Sequence, residues 1–227
     1  MSQPEDQAEL FRQAVTSTMR AISGNDELTV TFGRGKPYIQ GDRARVPMPD
    51  SSLAEAELAA TRGISDKFAL RMRFHDEGWH REHRPQAGVA QEVFDCIEEA
   101  RVASIGCGLM QGVEDNLYAQ LDAQCEERGY HKIIDRKDAP LGEAVGFMIQ
   151  EKLIGRLPEP ARRVLEPWRD FIEDHIGMNT EELEACVKDQ LEFARIARRM
   201  IQDMGLTDEW GQEEGDPDAD DYDQDPE

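Results

Sequence analysis

Apolar side chains recur every three to four residues through most of this chain, which is the spacing of an amphipathic α-helix. The first such segment begins at a capping-box pair, Ser2 and Glu5, and ends at Gly24. Its apolar stripe consists of Leu10, Phe11, Ala14, Val15, Met19 and Ile22. The pattern predicts that the chain opens with a helix.

A stretch with a shorter period follows. Residues 28–32 alternate apolar residues with Thr, and two further short runs, 38–40 and 43–46, come after Gly33 and Gly35. Alternation at period two favours strands, and the intervening glycines favour turns. We therefore predict a small β-hairpin or meander around residues 28–46.

Helical spacing resumes after the prolines that close this stretch. A second helix is predicted from the capping pair Ser52 and Glu55 to Phe74, bent or interrupted at Gly63. A third helical region opens at Pro85, and its apolar stripe resumes beyond three glycines that are expected to loosen it. Those glycines are Gly106, Gly108 and Gly112.

Three further helices are predicted in the second half of the chain. They cover residues 141–154, 160–176 and 179–204, and Asn179 is the expected N-cap of the last one. Taken together, the patterns predict a mostly α-helical domain over residues 1–210, with about six or seven helices besides the β-hairpin.

The charge of the chain is strongly acidic and unevenly distributed. It has 26 basic and 48 acidic residues, a formal net charge of −22, and residues 213–227 alone hold nine Asp or Glu residues and no Lys or Arg. Such a balance repels phosphate backbones and anionic lipid surfaces, so we expect neither nucleic-acid nor membrane partners. Residues 211–227 lack the apolar content of a core and are expected to form a disordered acidic linker or tail.

The cysteines and the N-terminus indicate the compartment. The four cysteines have no paired spacing, which is typical of reduced thiols and not of a disulfide framework; they are Cys96, Cys107, Cys125 and Cys186. No apolar run approaches the ~20 residues of a membrane span. The first residues have neither the basic nor the apolar stretch of a secretion signal. We therefore expect a cytoplasmic protein.

Three of the five histidines, His75, His80 and His83, lie within nine residues. One hypothesis is a metal site with these three ligands, assisted by Asp76, although their spacing requires a loop to fold them together. The other is a connection between helices in which Trp79 packs, His75 caps the preceding helix and the other two histidines face water. The spacing alone leaves both open.

A second candidate group combines two carboxylates with a positively charged side chain, namely Glu98, Glu99 and Arg101. Adjacent carboxylates such as Glu98 and Glu99 point to different faces of a helix. A solvated face, or an ion pair that holds helices in register, is therefore the favoured interpretation. The sequence also has no P-loop, no G-x-S-x-G and no H-E-x-x-H motif.

Several segments together resemble the N-terminal region of the CobT subunit of aerobic cobaltochelatase. They match that region in order and spacing over nearly the whole expected domain. The segments are Ala21-Ile22-Ser23-Gly24 before Leu28-Thr29-Val30-Thr31-Phe32, His75-Asp76 with His80, Glu99-Ala100-Arg101-Val102 before Ser104-Ile105-Gly106, and Asp135-Arg136-x-Asp138-Ala139-Pro140-Leu141.

The resemblance implies a place in a three-protein assembly that inserts cobalt into hydrogenobyrinic acid a,c-diamide. Its partners would be a large corrinoid-binding subunit and an AAA+ ATPase, and ATP, Mg²⁺ and cobalt would serve the whole complex. This chain would be a scaffold and docking part of a ligase, without catalytic residues of its own. The alternative is an independent metallochaperone or metalloenzyme that uses His75, His80 and His83.

Members of the family are longer and end in a von Willebrand factor A-like domain with a D-x-S-x-S motif. This sequence contains no such motif, and residues 213–227 correspond to the start of the family's acidic linker. We therefore expect that the chain is part of a longer protein whose C-terminal domain contacts the ATPase.

Overall fold

The computed structural model describes residues 4–49, 54–86, 88–110, 112–176 and 180–206. These residues are mostly α-helical with a small sheet near the N-terminus, so the predicted fold class is confirmed. They form ten α-helices, which exceeds the expected number because some predicted segments divide into two. The expected caps Ser2, Ser52 and Asn179 lie outside the described residues, as does the acidic stretch 211–227.

The sheet follows the first helix, α1 (Pro4–Ser23). Its three strands are β1 (Thr29–Gly33), β2 (Tyr38–Gln40) and β3 (Arg43–Pro47). Their spatial order is β1-β3-β2, with β3 antiparallel to β2 and parallel to β1. The expected hairpin is therefore formed by β2 and β3, and the meander is wrong because the last strand lies in the centre.

Two helix pairs form the body. Helix α2 (Glu55–Phe74) packs along α5 (Val113–Glu127), and α4 (Gly88–Leu109) packs along α6 (Leu141–Ile154). The described residues form two hydrophobic cores. The first pair shares one of them with α1 and the sheet, whereas most of the other comes from α4, α6 and the helices that follow. The short α3 (Glu77–His83) joins α2 to α4.

Glycines inside these helices permit close packing. Helix α2 is continuous through Gly63, where a Cβ atom would lie 2.1 Å from the carbonyl oxygen of Asn116 on α5. Helix α4 is continuous through Gly106, where a Cβ atom would lie 2.3 Å from Leu70. The expectation of an interruption at Gly63 or a loosened helix at Gly106 is wrong, because the absent side chain serves contact between helices.

The C-terminal helices are shorter than predicted. The 160–176 segment divides into α7 (Glu159–Leu165) and α8 (Arg169–Ile176) around a 3-10 turn containing Pro167. The 179–204 segment divides into α9 (Thr180–Cys186) and α10 (Gln190–Asp203). Asp189 separates the last two, since its carboxylate accepts hydrogen bonds from the backbone N–H groups of Leu191 and Glu192.

Candidate functional site

The histidine segment forms the junction between α2 and α4. Helix α2 ends at Phe74, His75 is extended, and Asp76 caps α3 by accepting a hydrogen bond from the Trp79 N–H group at 2.9 Å. This turn brings the His75 and His80 rings together, with centroids 4.7 Å apart. Residues at i and i+5, which a single helix would separate, therefore meet at one point.

His75 is enclosed by charged side chains, and only 1% of its own side chain is exposed. Its Nδ1 atom lies 2.8 Å from Oε1 of Glu98, and its Nε2 atom lies 3.1 Å from Nη2 of Arg71. Nε2 also lies 3.3 Å from Oε2 of Glu77. A neutral ring with its proton on Nδ1 satisfies the first two contacts, since it donates to Glu98 and accepts from Arg71.

Glu98 and Arg101 form a buried ion pair one helical turn apart on α4. The Arg101 Nε and Nη2 atoms each donate to a Glu98 oxygen at 2.7 Å. Burial alone would raise the pKa of Glu98, but the hydrogen bonds from Arg101 and His75 hold it below its ordinary value. Glu98 is therefore ionised at neutral pH.

Arg101 also connects three parts of the chain. Its Nη2 atom donates to the carbonyl of Phe74 at the end of α2 (2.5 Å), and its Nη1 atom donates to the carbonyl of Val187 before α10 (3.1 Å). The expected ion pair is present, but it lies within α4, and the links to other elements are the bonds of Arg101 to the two carbonyls. Glu99 points elsewhere and pairs with Lys67 of α2 at 2.9 Å.

His80 is buried and pairs with a partly exposed carboxylate. Its Nε2 atom lies 2.8 Å from Oδ1 of Asp95, and the other Asp95 oxygen accepts a hydrogen bond from Arg84. Its ring stacks on Phe94 with centroids 5.0 Å apart. His80 is only 5% exposed, so the expectation that it faces water is wrong.

His83 is separated from the other two histidines by its contacts. Its ring stacks on Trp79 with centroids 4.0 Å apart, and its Nδ1 atom lies 2.7 Å from the Trp79 carbonyl oxygen. Trp79 packs against the core, as expected. Within the described ranges, no group of three or more His, Cys, Asp or Glu residues is arranged to hold a metal ion. The three-histidine metal site therefore stays a hypothesis.

A cleft of about 400 Å³ adjoins this network between the two helix pairs. Its lining combines apolar residues with charged residues that already have partners, such as Lys67 with Glu99 and Arg128 with Glu143. Arg71 and Asp95 belong both to the cleft wall and to the histidine network. The charged lining residues are Lys67, Arg71, Asp95, Glu99, Arg128 and Glu143.

Several members of the network were missed in the sequence, among them Arg71, Asp95 and Gln190. Asp95 lies one helical turn before Glu98, so helical spacing was an available signal. Gln190 carried no such signal, because it meets Asp76 across 114 residues: its Oε1 atom accepts from the Asp76 N–H group at 2.8 Å. Only the folded chain shows that contact.

Two of the segments that carry the resemblance converge on this network, namely the histidine segment and the one that contains Arg101. The segment 135–141 lies elsewhere: Arg136 covers the Trp168 ring at 3.7 Å, and Trp168 donates to the Ala139 carbonyl at 2.9 Å. The segment 135–141 therefore packs against Trp168 and not against the histidine network.

Residues 5–227 match the family model described as cobalamin biosynthesis protein CobT. No solved structure matches the chain. None of the described helices combines the length and apolar character that a membrane span requires. The match covers nearly the whole chain and agrees with the resemblance of its individual segments, so this protein belongs to the CobT family, which acts in cobalamin biosynthesis.

Proposed function

We propose that this chain is the helical scaffold and docking part of an aerobic cobaltochelatase subunit. In this role it supports ATP-dependent insertion of cobalt, the substrate ion, into hydrogenobyrinic acid a,c-diamide. The observation that carries the proposal is the family match over residues 5–227. Two of the segments that carry the resemblance meet in the paired network of His75, Glu98 and Arg101.

The geometry of the network favours a structural role over acid–base chemistry. A general acid or base must reach the proton that it transfers, within hydrogen-bond distance or through one water. His75 is enclosed, and Glu98 is held by Arg101 through two hydrogen bonds. The ionised pair instead fixes the end of α2 against α4 and the α9–α10 connection.

The docking surface that we propose lies on the helical body. Ile134 is 83% exposed and Leu109 is 54% exposed, so each can bury apolar surface when a partner covers it. We propose that these two residues contact the large corrinoid-binding subunit. Residues 211–227 would act as a tether to the family's C-terminal domain, which would engage the AAA+ ATPase.

Pull-down with the purified large subunit tests the proposal. We expect residues 1–227 to bind, and the variants Ile134→Asp and Leu109→Asp to bind about tenfold more weakly, since an interface anchor contributes roughly 1–2 kcal/mol or more. Lys152→Glu is the matched control: it changes an exposed residue on α6 and is expected to leave binding unchanged.

Complementation tests whether cobalt insertion requires the C-terminal domain in addition to residues 1–227. In a strain that lacks the full-length protein, residues 1–227 alone are expected not to restore cobalt insertion, because tethered coupling requires both modules. Failure of the unaltered chain to bind the large subunit would remove the docking role. Restored, ATP-dependent cobalt insertion would show that the C-terminal domain is dispensable.

A further inference from the structure

The outward face of the small sheet is basic. Strand register aligns Thr29, Arg43 and Gln40 in one row and Thr31, Arg45 and Tyr38 in the next. The opposite face carries the apolar residues that pack on the core, among them Ala44 and Val46. Two more cations, Arg34 and Lys36, lie in the loop that leads from β1 to β2.

The loop is held against this face by Arg45. The Arg45 guanidinium donates two hydrogen bonds to the carbonyl of Lys36, at 2.9 and 3.3 Å, and lies 4.8 Å from the centre of the Tyr38 ring. The basic face, defined as Arg34, Lys36, Arg43 and Arg45, therefore combines one held guanidinium with three exposed cations.

No described carboxylate pairs with a cation of the basic face. Elsewhere in the described structure many arginines are paired, including Arg71 with Glu77 and Arg169 with Glu151. The nearest acid, Asp42, precedes Arg43 in the turn before β3, where it accepts a hydrogen bond from Asn25. Four cations without carboxylate partners in a chain of net charge −22 indicate an anionic occupant.

We propose that the basic face binds the acidic segment 213–227 of the same chain. That segment offers nine carboxylates and no competing cation. The contact is electrostatic, so it requires no helix or strand in the segment. It is independent of the proposed docking role.

A second basic groove fits this occupant less well. It is lined by Arg81, Arg84 and Arg198, but Glu82 lies among them. Arg84 already pairs with Asp95, and Arg198 donates to the His83 carbonyl at 2.6 Å. In the described residues no carboxylate is bound to a cation of the basic face, although Asp42 precedes Arg43 in sequence.

Carbodiimide cross-linking of the whole chain tests the proposal, because this reagent joins a lysine amine to a carboxylate in contact with it. Mass spectrometry is expected to show links from Lys36 to residues 213–227 about threefold or more above those from Lys132 or Lys152, two exposed lysines. These links should decrease by a similar factor in about 1 M NaCl, where the screening length falls to ~3 Å.

A matched pair of variants isolates the basic face. Arg34→Gln with Arg43→Gln should lower the Lys36 links about threefold or more, whereas Lys132→Gln with Arg162→Gln removes the same charge elsewhere and should leave them unchanged. Mixing ¹⁴N- and ¹⁵N-labelled chains shows whether the links join two residues of the same chain or of two different chains. Links between two chains, links spread evenly over the lysines, or equal effects of the two variants would each overturn the proposal.

Discussion

Arg101 holds the Glu98 carboxylate by two parallel hydrogen bonds of 2.7 Å, in a site where neither side chain is more than 6% exposed. A buried charge that loses its partner keeps the cost of leaving water without compensation. The stability of the junction therefore depends on both members of this pair.

Glu98→Ala is expected to lower the free energy of unfolding by about 3–5 kcal/mol, since it leaves Arg101 buried and unpaired. Urea unfolding followed by circular dichroism measures the change. Glu9→Ala is the control, because it breaks the exposed Glu9–Arg12 pair, which contributes about 0–1 kcal/mol. Equal losses in the two variants would contradict the structural role of the buried pair.

Gly63→Ala is expected to destabilise the α2–α5 contact. The new Cβ atom would lie 2.1 Å from the Asn116 carbonyl oxygen, so the helices must separate, at a cost of roughly 1–3 kcal/mol or more. Gly108→Ala adds the same atom on α4, where nothing lies within 4 Å. Higher helix propensity should then raise stability by up to about 1 kcal/mol. Thermal unfolding of both variants checks the opposite signs.

The buried carboxyl group of Asp66 leads us to expect that the stability of the fold depends on pH. Burial raises its pKa from 3.8 to about 6, and this rise is only partly offset by the 2.8 Å hydrogen bond from Asn116 and the charge of Arg62. Between these two pH values the folded chain binds more protons at this site than the unfolded chain. The contribution of Asp66 to the free energy of unfolding therefore falls as pH rises through this window and is constant above it.

The variant Asp66→Asn isolates this contribution. Urea unfolding at several pH values from about 4 to 7 measures the free energy of unfolding of both proteins. The wild type should lose stability relative to the variant as pH rises to about 6, and the difference should then level off. A difference that is independent of pH would mean that Asp66 has an ordinary pKa in the folded chain.

Metal titration separates the two hypotheses for the histidine segment. Each histidine already has a nitrogen in contact with a carboxylate or carbonyl oxygen. We expect negligible cobalt or zinc affinity, by calorimetry, both in the unaltered chain and in the variant with Ala at positions 75, 80 and 83. Submicromolar affinity that is abolished in the variant, and also in the single change His83→Ala, would favour the metallochaperone alternative.

The cysteines should react slowly with thiol reagents while the chain is folded. Burial raises the pKa of Cys96 and Cys125 to about 12 and that of Cys107 to about 11, so few of these thiols are ionised near pH 8. A colorimetric disulfide reagent should therefore react much faster after unfolding in urea. Reductant should leave the melting temperature unchanged, since all four cysteines are free.

The sequence was most informative where local signals mark both ends of an element. Helix α6 has the predicted bounds Leu141–Ile154 because Pro140 precedes it and Gly155 follows with φ = 86°, a left-handed conformation that suits glycine. The central position of β3 was not predictable, since hydrophobic alternation identifies strands but not their neighbours.

In the candidate site, too, the sequence predicted some features and not others. The histidine segment and the Glu98–Arg101 pair were both found in the sequence, but their contact through His75 was not. His80 was expected at the surface because histidine is usually intermediate in burial, and its burial depends on Asp95 supplying a hydrogen bond. Such compensation arises from three-dimensional neighbours, which local spacing does not specify.

The hydrogen bonds of Arg101 differ in the length of chain that each one closes into a loop. Its bond to Glu98 spans three residues and becomes available as soon as α4 forms, whereas its bonds to Phe74 and Val187 close loops across 27 and 86 residues. Loop closure costs more entropy for the longer loop, so the Val187 contact belongs to the late steps of assembly. We therefore expect the α9–α10 connection to open before the contact between α2 and α4, which native-state hydrogen exchange would show as faster exchange of its amides.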